Sequence, residues 1–298
     1  MDLTTWNALS TDSIVALAWV VLIGFVAQLL GGSLGMAYGV SSSTGLALLG
    51  FSPAASSSLI HIVEIGTSLI NGSVHFRAKT INWRVVFLIG IPGGIAAFVG
   101  AMLLSTFNSN WSKPWTATLL LALGLFILFQ FVRGTVKPSE RIPHRGWLIP
   151  LGAVSGFVDS SAGGGWGVMT TSTLVASRTM TPAQAAGTTS TARLIVAIAG
   201  TVGFLIGLGP ENIAWLSVVA MLIGGVIAAP VVHVVVKYVS TRVLGIVMGV
   251  ALVLLNTRQL LVAIGTPIEW VLSAMLLVPV IFLLVFWLIT RNRQSRDV

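Results

Sequence analysis

The sequence predicts an all-α integral membrane protein, an inverted repeat of two units with one extra C-terminal transmembrane helix. Each unit is a Gly-rich re-entrant hairpin (a broken helix) plus three transmembrane helices. Three observations predict this class. Hydrophobic residues make up 55% of the 298 and charged residues only 8%, against about 25% charged in a soluble domain. The apolar residues form runs long enough to cross a bilayer, not the ten-residue alternation of an outer-membrane barrel. Two of these runs are broken by glycines, and the breaks recur at a fixed spacing. The net charge of +8 comes from short clusters between apolar runs, which is a topology signal and not a nucleic-acid face. Without cysteine, disulfides, thiolate metal sites and cysteine nucleophiles are excluded.

The elements follow in order. Residues 1–13 form an N-terminal extracytoplasmic segment without the basic n-region of a signal peptide, so no cleavage is expected. The first repeat, 14–133, opens with Ile14–Leu49, interrupted at Gly31-Gly32-Ser33. It continues with spans over Pro53–Phe76, Trp83–Phe107 and Trp115–Val132, bounded by proline, glycine and charge. A basic cytoplasmic linker occupies 134–146. The second repeat, 147–262, opens with Trp147–Ala176, interrupted at Gly163-Gly164-Gly165, followed by spans over Pro182–Leu208, Ile213–Val236 and Arg242–Leu261. Residues 263–298 hold the last helix, Ile268–Thr290, and a basic cytoplasmic tail. The arm Trp147–Val158 reaches about 18 Å at 1.5 Å per residue, too short for a core of about 30 Å.

Positive charge favours hairpins over straight spans. With both broken regions re-entrant and the N-terminus outside, thirteen of the 16 lysines and arginines fall inside. Lys113 and Arg258 fall outside, and Arg193 lies within the membrane. With both regions crossing once the split is eight against seven, which is no bias. The first hairpin is the less certain of the two, because Ile14–Leu30 could just span. The expected location is the inner (plasma) membrane, multi-pass, with the N-terminus outside and the C-terminus in the cytoplasm.

The repeat itself shows at an offset of 132, which pairs Gly24-Phe25-Val26 with Gly156-Phe157-Val158 and Gly31-Gly32 with Gly163-Gly164. It also pairs Trp83 with Trp215 and Gly93 with Gly225. Three spans per unit is an odd number, so the second copy lies upside down. Inverted repeats with broken helices mark secondary transporters, whose substrates bind near the midplane between the repeats. Non-helical backbone at that depth is tolerated only against protein or a water-filled cavity.

A helix is expected to begin after each tip, near Met36 and Trp166, with free N–H groups and a positive dipole end. Glycine admits an anion close to such a backbone, and nearby hydroxyls add donors. The candidate binding residues are therefore Gly32, Ser33, Gly35, Gly163, Gly164, Gly165, Trp166, Thr188, Thr189, Ser190 and Arg193. Glycines such as Gly93, Gly100, Gly224 and Gly225 suit close helix packing instead. Arg193 lies 11 residues after Pro182, and Glu64 stands at the same distance from Pro53, both near the midplane. Intramembrane charge is costly, so pairing or function is expected. The bland reading is an ion pair locking the repeats. The functional one gives Arg193 the anion and makes His61, Glu64 or Asp159 proton carriers. As metal ligands His61 and Glu64 are weak candidates, because no third or fourth ligand is visible nearby. No metal and no cofactor is expected.

These residues carry a resemblance. The paired Gly-rich hairpins, the helix starts "SPAASSS" and "TPAQAAGTTST", and the four-plus-four arrangement resemble the sulfite exporter TauE/SafE family of membrane permeases, over roughly Ile14 to Leu261. The resemblance implies transport of small sulfur-containing anions such as sulfite, sulfonates and related organosulfur acids, coupled to protons. The first tip, Gly31-Gly32-Ser33-Leu34-Gly35, is less glycine-rich than the family pattern, and the His61/Glu64 pair is not expected in every member. The expected function is a secondary transporter with alternating access, not an enzyme. Its partners are a small anion and the lipid bilayer, with a homodimer compatible with its glycine-rich faces and no nucleic acid. An anion channel of the same fold is the alternative. An intramembrane enzyme is a weaker one, since no Gly-x-Ser-x-Gly elbow is present.

Overall fold

The computed structural model of the chain describes residues 11–133, 145–177, 179–267, 269–271 and 273. Among these, every regular element is a helix. In chain order they are α1 (Thr11–Leu34), α2 (Tyr38–Leu48), α3 (Pro53–Arg77), α4 (Trp83–Thr106), α5 (Ser109–Arg133), α6 (Arg145–Ala162), α7 (Trp166–Ala176), α8 (Pro182–Leu208), α9 (Trp215–Tyr238) and α10 (Thr241–Ala263), with a 3-10 turn at Pro210–Asn212. The N-terminal segment, most of the basic linker and nearly all of Ile268–Thr290 lie outside the described residues.

Among the described residues, six helices are long and apolar enough to cross a membrane: Ile14–Leu34, Trp83–Thr106, Ser109–Val132, Pro182–Leu208, Trp215–Val232 and Thr241–Ala263. The chain is a multi-pass membrane protein. Its outer faces carry large apolar side chains such as Phe87, Ile91, Ile95, Ile223 and Ile227, which would aggregate in water and dissolve in lipid. Trp83, Trp111, Trp115, Trp215 and Trp270 are exposed near helix ends, as an aromatic belt requires. Polar residues occupy the inside instead, among them Ser42, Ser43, Ser57, His61, Glu64, Asp159 and Thr189.

Local chemistry sets the helix starts. Ser52, Asn82 and Ser240 accept hydrogen bonds from Ala55, Val85 and Val243 N–H groups. Thr181 and Gln184 form a reciprocal capping box ahead of α8, satisfying two amides that would otherwise be free. α5 starts six residues before the expected Trp115 and runs through Pro114.

Both interruptions exist, but the first is displaced. α1 stays helical through Gly31, Gly32 and Ser33, and the break falls at Gly35-Met36-Ala37, where Gly35 has φ +67° and Ala37 φ +80°. Glycine inside a helix costs only about 1 kcal/mol, and here it makes room. A Cβ on Gly31 would stand 2.8 Å from Tyr38 Cβ, and one on Gly32 2.9 Å from Val232. The second break lies at Gly163-Gly164-Gly165 as expected, with φ +75° at Gly163. Its leading arm, α6, has 18 residues rather than 12, so it reaches about 27 Å.

α1 packs along α9 and α4 along α6; α8 lies against both α3 and α4, and α10 against α5. Glycine allows the close crossings. Cβ atoms would crowd the neighbouring backbone at Gly24 (3.0 Å from Met221 Cα), Gly224 (2.8 Å from Phe25 N) and Gly100 (2.9 Å from Phe157 O). Gly225, expected to pack, faces open space.

Candidate functional site

The midpoints of α3 and α8 meet in the core, each carrying one charge. Arg193 Nη1 donates to Glu64 Oε1 at 2.5 Å. Glu64 is buried, while Arg193 keeps 13% of its side chain exposed. That residual exposure opens into a cleft of about 120 Å³, between the end of α1, the first break, the C-terminal half of α3 and the N-terminal half of α8. Tyr38, Ser68, Asn71, Ser190 and Arg193 supply its polar wall. The Tyr38 and Ser68 hydroxyls are buried without a hydrogen-bond partner among the described residues. Unpaired buried hydroxyls are costly unless something polar meets them.

Of the residues expected to bind a ligand, Gly32, Gly35, Thr189, Ser190 and Arg193 line this cleft. Ser33 is buried within the last turn of α1. Thr188 accepts a hydrogen bond from Asn82 N–H at 3.0 Å, tying α8 to the start of α4. Gly163, Gly164 and Gly165 are buried elsewhere: Gly163 would crowd the Ser43 hydroxyl at 2.6 Å, and a Cβ on Gly164 would collide with the Gly39 backbone. Trp166 is fully buried, its indole N–H donating to Thr189 O at 2.9 Å.

The amide expected to be free at the start of α7 is taken. Trp166 N–H donates to Asp159 Oδ1 at 2.7 Å, and Gly164 N–H to Asp159 O at 2.8 Å. The other carboxylate oxygen of Asp159 lies 3.5 Å from His61 Nε2. His61 Nδ1 sits 2.9 Å from Ser57 O, so that nitrogen carries the hydrogen. The neutral ring then accepts from Ser160 Oγ–H at Nε2, 2.9 Å away. A proton added at Nε2 would point toward Asp159. Gly200 leaves space for the ring, and Phe204 meets it edge-on with centroids 5.7 Å apart.

Sequence distance hid the third member of this cluster. One ligand-type atom from each of His61, Glu64 and Asp159 lies within 4.8 Å of the others, all three residues being buried. Two carboxylates, one imidazole and one guanidinium thus share a single buried patch. Glu64 is engaged by Arg193, which leaves an incomplete donor set for a metal. The guanidinium of this patch reaches the cleft.

Sequence reasoning missed Tyr38, Gln28, Thr67, Ser68, Asn71 and His75 on the cleft wall. His75 contacts Thr80 Oγ1 at 3.0 Å on the edge of the cleft. A signal was available, because Ser57, His61, Glu64, Ser68, Asn71 and His75 recur at three- and four-residue steps along one face of α3.

A multi-pass helical protein with buried charge beside a polar cleft defines a membrane transporter. The particular family is shown by comparison: the model of the sulfite exporter TauE/SafE family matches residues 20–258, and the chain belongs to that family. It is 37% identical over 243 residues, 80% of this chain and 81% of the relative, to the probable membrane transporter protein YtnM of Bacillus subtilis (strain 168). No solved structure matches the chain. The family and this relative are transporters, not enzymes.

Proposed function

We propose that the protein is a secondary transporter of a small sulfur-containing anion (sulfite, a sulfonate or a related organosulfur acid), coupled to protons and working by alternating access. The observation that carries this reading is the Arg193–Glu64 pair on the wall of the cleft. As long as Glu64 is ionised, it satisfies the guanidinium and competes with any anion. When Glu64 takes a proton, Arg193 is left positive in a low-dielectric cleft, and an anion then completes its hydrogen bonds. Tyr38, Ser68 and Ser190 stand ready as further donors. His61, Ser160 and Asp159 form the store from which the proton comes or to which it returns.

The inverted repeat fits the helix packing. Exchanging each element with its counterpart five places on maps the α1–α9 contact onto α6–α4, and the α3–α8 and α5–α10 contacts onto themselves. In the proposed orientation Arg77, Lys79 and Arg84 are cytoplasmic in the inner membrane. The cleft, with Asn71 and His75 at its mouth, opens inward. The second break, packed against Gly39, closes the outer side. The N-terminus lies outside and the C-terminus inside.

Titration calorimetry of the purified protein with sulfite, sulfoacetate, taurine and sulfate tests the reading. At least one anion is expected to bind saturably, and Arg193→Ala to lose that binding by at least about tenfold, as for a charge-assisted bidentate contact. Equal behaviour of wild type and Arg193→Ala contradicts the reading. Flux that follows only the anion gradient, at channel rates and without proton movement, favours the channel alternative.

A further inference from the structure

A second polar cleft of about 350 Å³ lies at the opposite end of α3, between the starts of α3 and α5 and the end of α10. Ser56 marks its depth on α3 and Asn71 the mouth of the first cleft, 15 residues apart or about 22 Å along the helix. Its wall contains Lys113 and Arg258. These are the two basic residues that charge counting places on the outer side, on different helices far apart in sequence, and folding brings both to one cleft. Neither has an ion-pair partner among the described residues. No acidic side chain among the described residues lines the cleft.

Its floor is polar as well. Ser56 Oγ is buried without a hydrogen-bond partner among the described residues and lines the cleft. Ser43 Oγ donates to Ala162 O at 2.9 Å, and Thr116 Oγ1 to Ser161 O at 3.4 Å. The floor hydroxyls therefore hold the last turn of α6, next to the glycine break that separates this cleft from Glu64.

Resting on the reading above, we infer that this outer cleft is a separate capture site for small oxyanions. Lys113 and Arg258 draw the anion in and hold it over Ser56 before the second break moves. Two unopposed cations in a concave, partly low-dielectric wall focus the field and raise the local anion concentration. The same side with acidic residues, or with the two cations on separate faces, would not.

The absence of cysteine gives a test independent of transport. Asn110 is exposed on the wall of this cleft, and Asn110→Cys supplies one thiol there. Its modification rates by an anionic (sulfonatoethyl) and a cationic (trimethylammonioethyl) methanethiosulfonate, each divided by that reagent's rate with free 2-mercaptoethanol, are compared with and without methanesulfonate. The anionic reagent is expected to react roughly tenfold faster, as field focusing predicts. Methanesulfonate should slow it, and added salt should erase the difference. In K113Q/R258Q the preference and the protection should both vanish, and in K113R/R258K both should persist. Equal rates for the two reagents in the N110C protein, or a preference that survives K113Q/R258Q, overturns the inference. In an R193A background the preference and protection should remain, so loss of the inner site and loss of the outer one are told apart.

Discussion

The two glycine breaks are the same device built to different tolerances. At the second, three glycines run in sequence, the backbone presses on Gly39, and Asp159 occupies the first amide of α7. At the first, a single glycine and an alanine hold positive φ, no side chain caps Ala37, and the break lines the inner cleft. A closed, self-satisfied break needs no ligand to complete its hydrogen bonds. An uncapped one beside a cavity leaves its backbone available to a ligand.

The difference can be broken residue by residue, with thermal unfolding of the purified protein in detergent as the readout. Gly164→Ala should do most damage, because the new methyl meets buried backbone that cannot swing away. A loss of about 3 kcal/mol, or failure to recover folded protein, is expected. Asp159→Ala comes next: it strands the Trp166 N–H in the core, which costs about 1–3 kcal/mol. Gly35→Ala should cost less, about 1–2 kcal/mol of backbone strain, since its Cβ would meet Ala186 at an ordinary 3.6 Å. Ala37→Gly is the smallest effect and of opposite sign. Relieving φ +80° should stabilise the protein by up to about 1 kcal/mol. Equal losses at Gly164 and Gly35 would remove the distinction between the breaks.

Much of this was legible in the sequence, for physical reasons. Proline after a capping Ser52 or Thr181 fixes the starts of α3 and α8 without tertiary help. Equal distances from those starts brought Glu64 and Arg193 to one depth, where the cost of an unpaired charge made them partners. The first break was misplaced because glycine pairs do not end a helix when neighbours need the space, and Tyr38 and Val232 need it at Gly31 and Gly32. Asp159 is held by a local amide and by His61, a partnership across 98 residues that no spacing announces. The polar stripe of α3 was the readable signal left unread. Ser68 and Asn71 follow Glu64 on the same face, and together they sketch the cleft wall.

The proposed coupling of anion to proton rests on Glu64 competing for Arg193, and uptake of methanesulfonate by proteoliposomes over a pH series tests it most directly, because that anion keeps its charge throughout. Wild-type uptake is expected to rise as pH falls, while Glu64→Gln, which mimics the protonated side chain, should bind the anion at every pH with a flat profile. A Glu64→Gln protein that keeps the wild-type pH dependence, or a wild type indifferent to pH, would contradict the account.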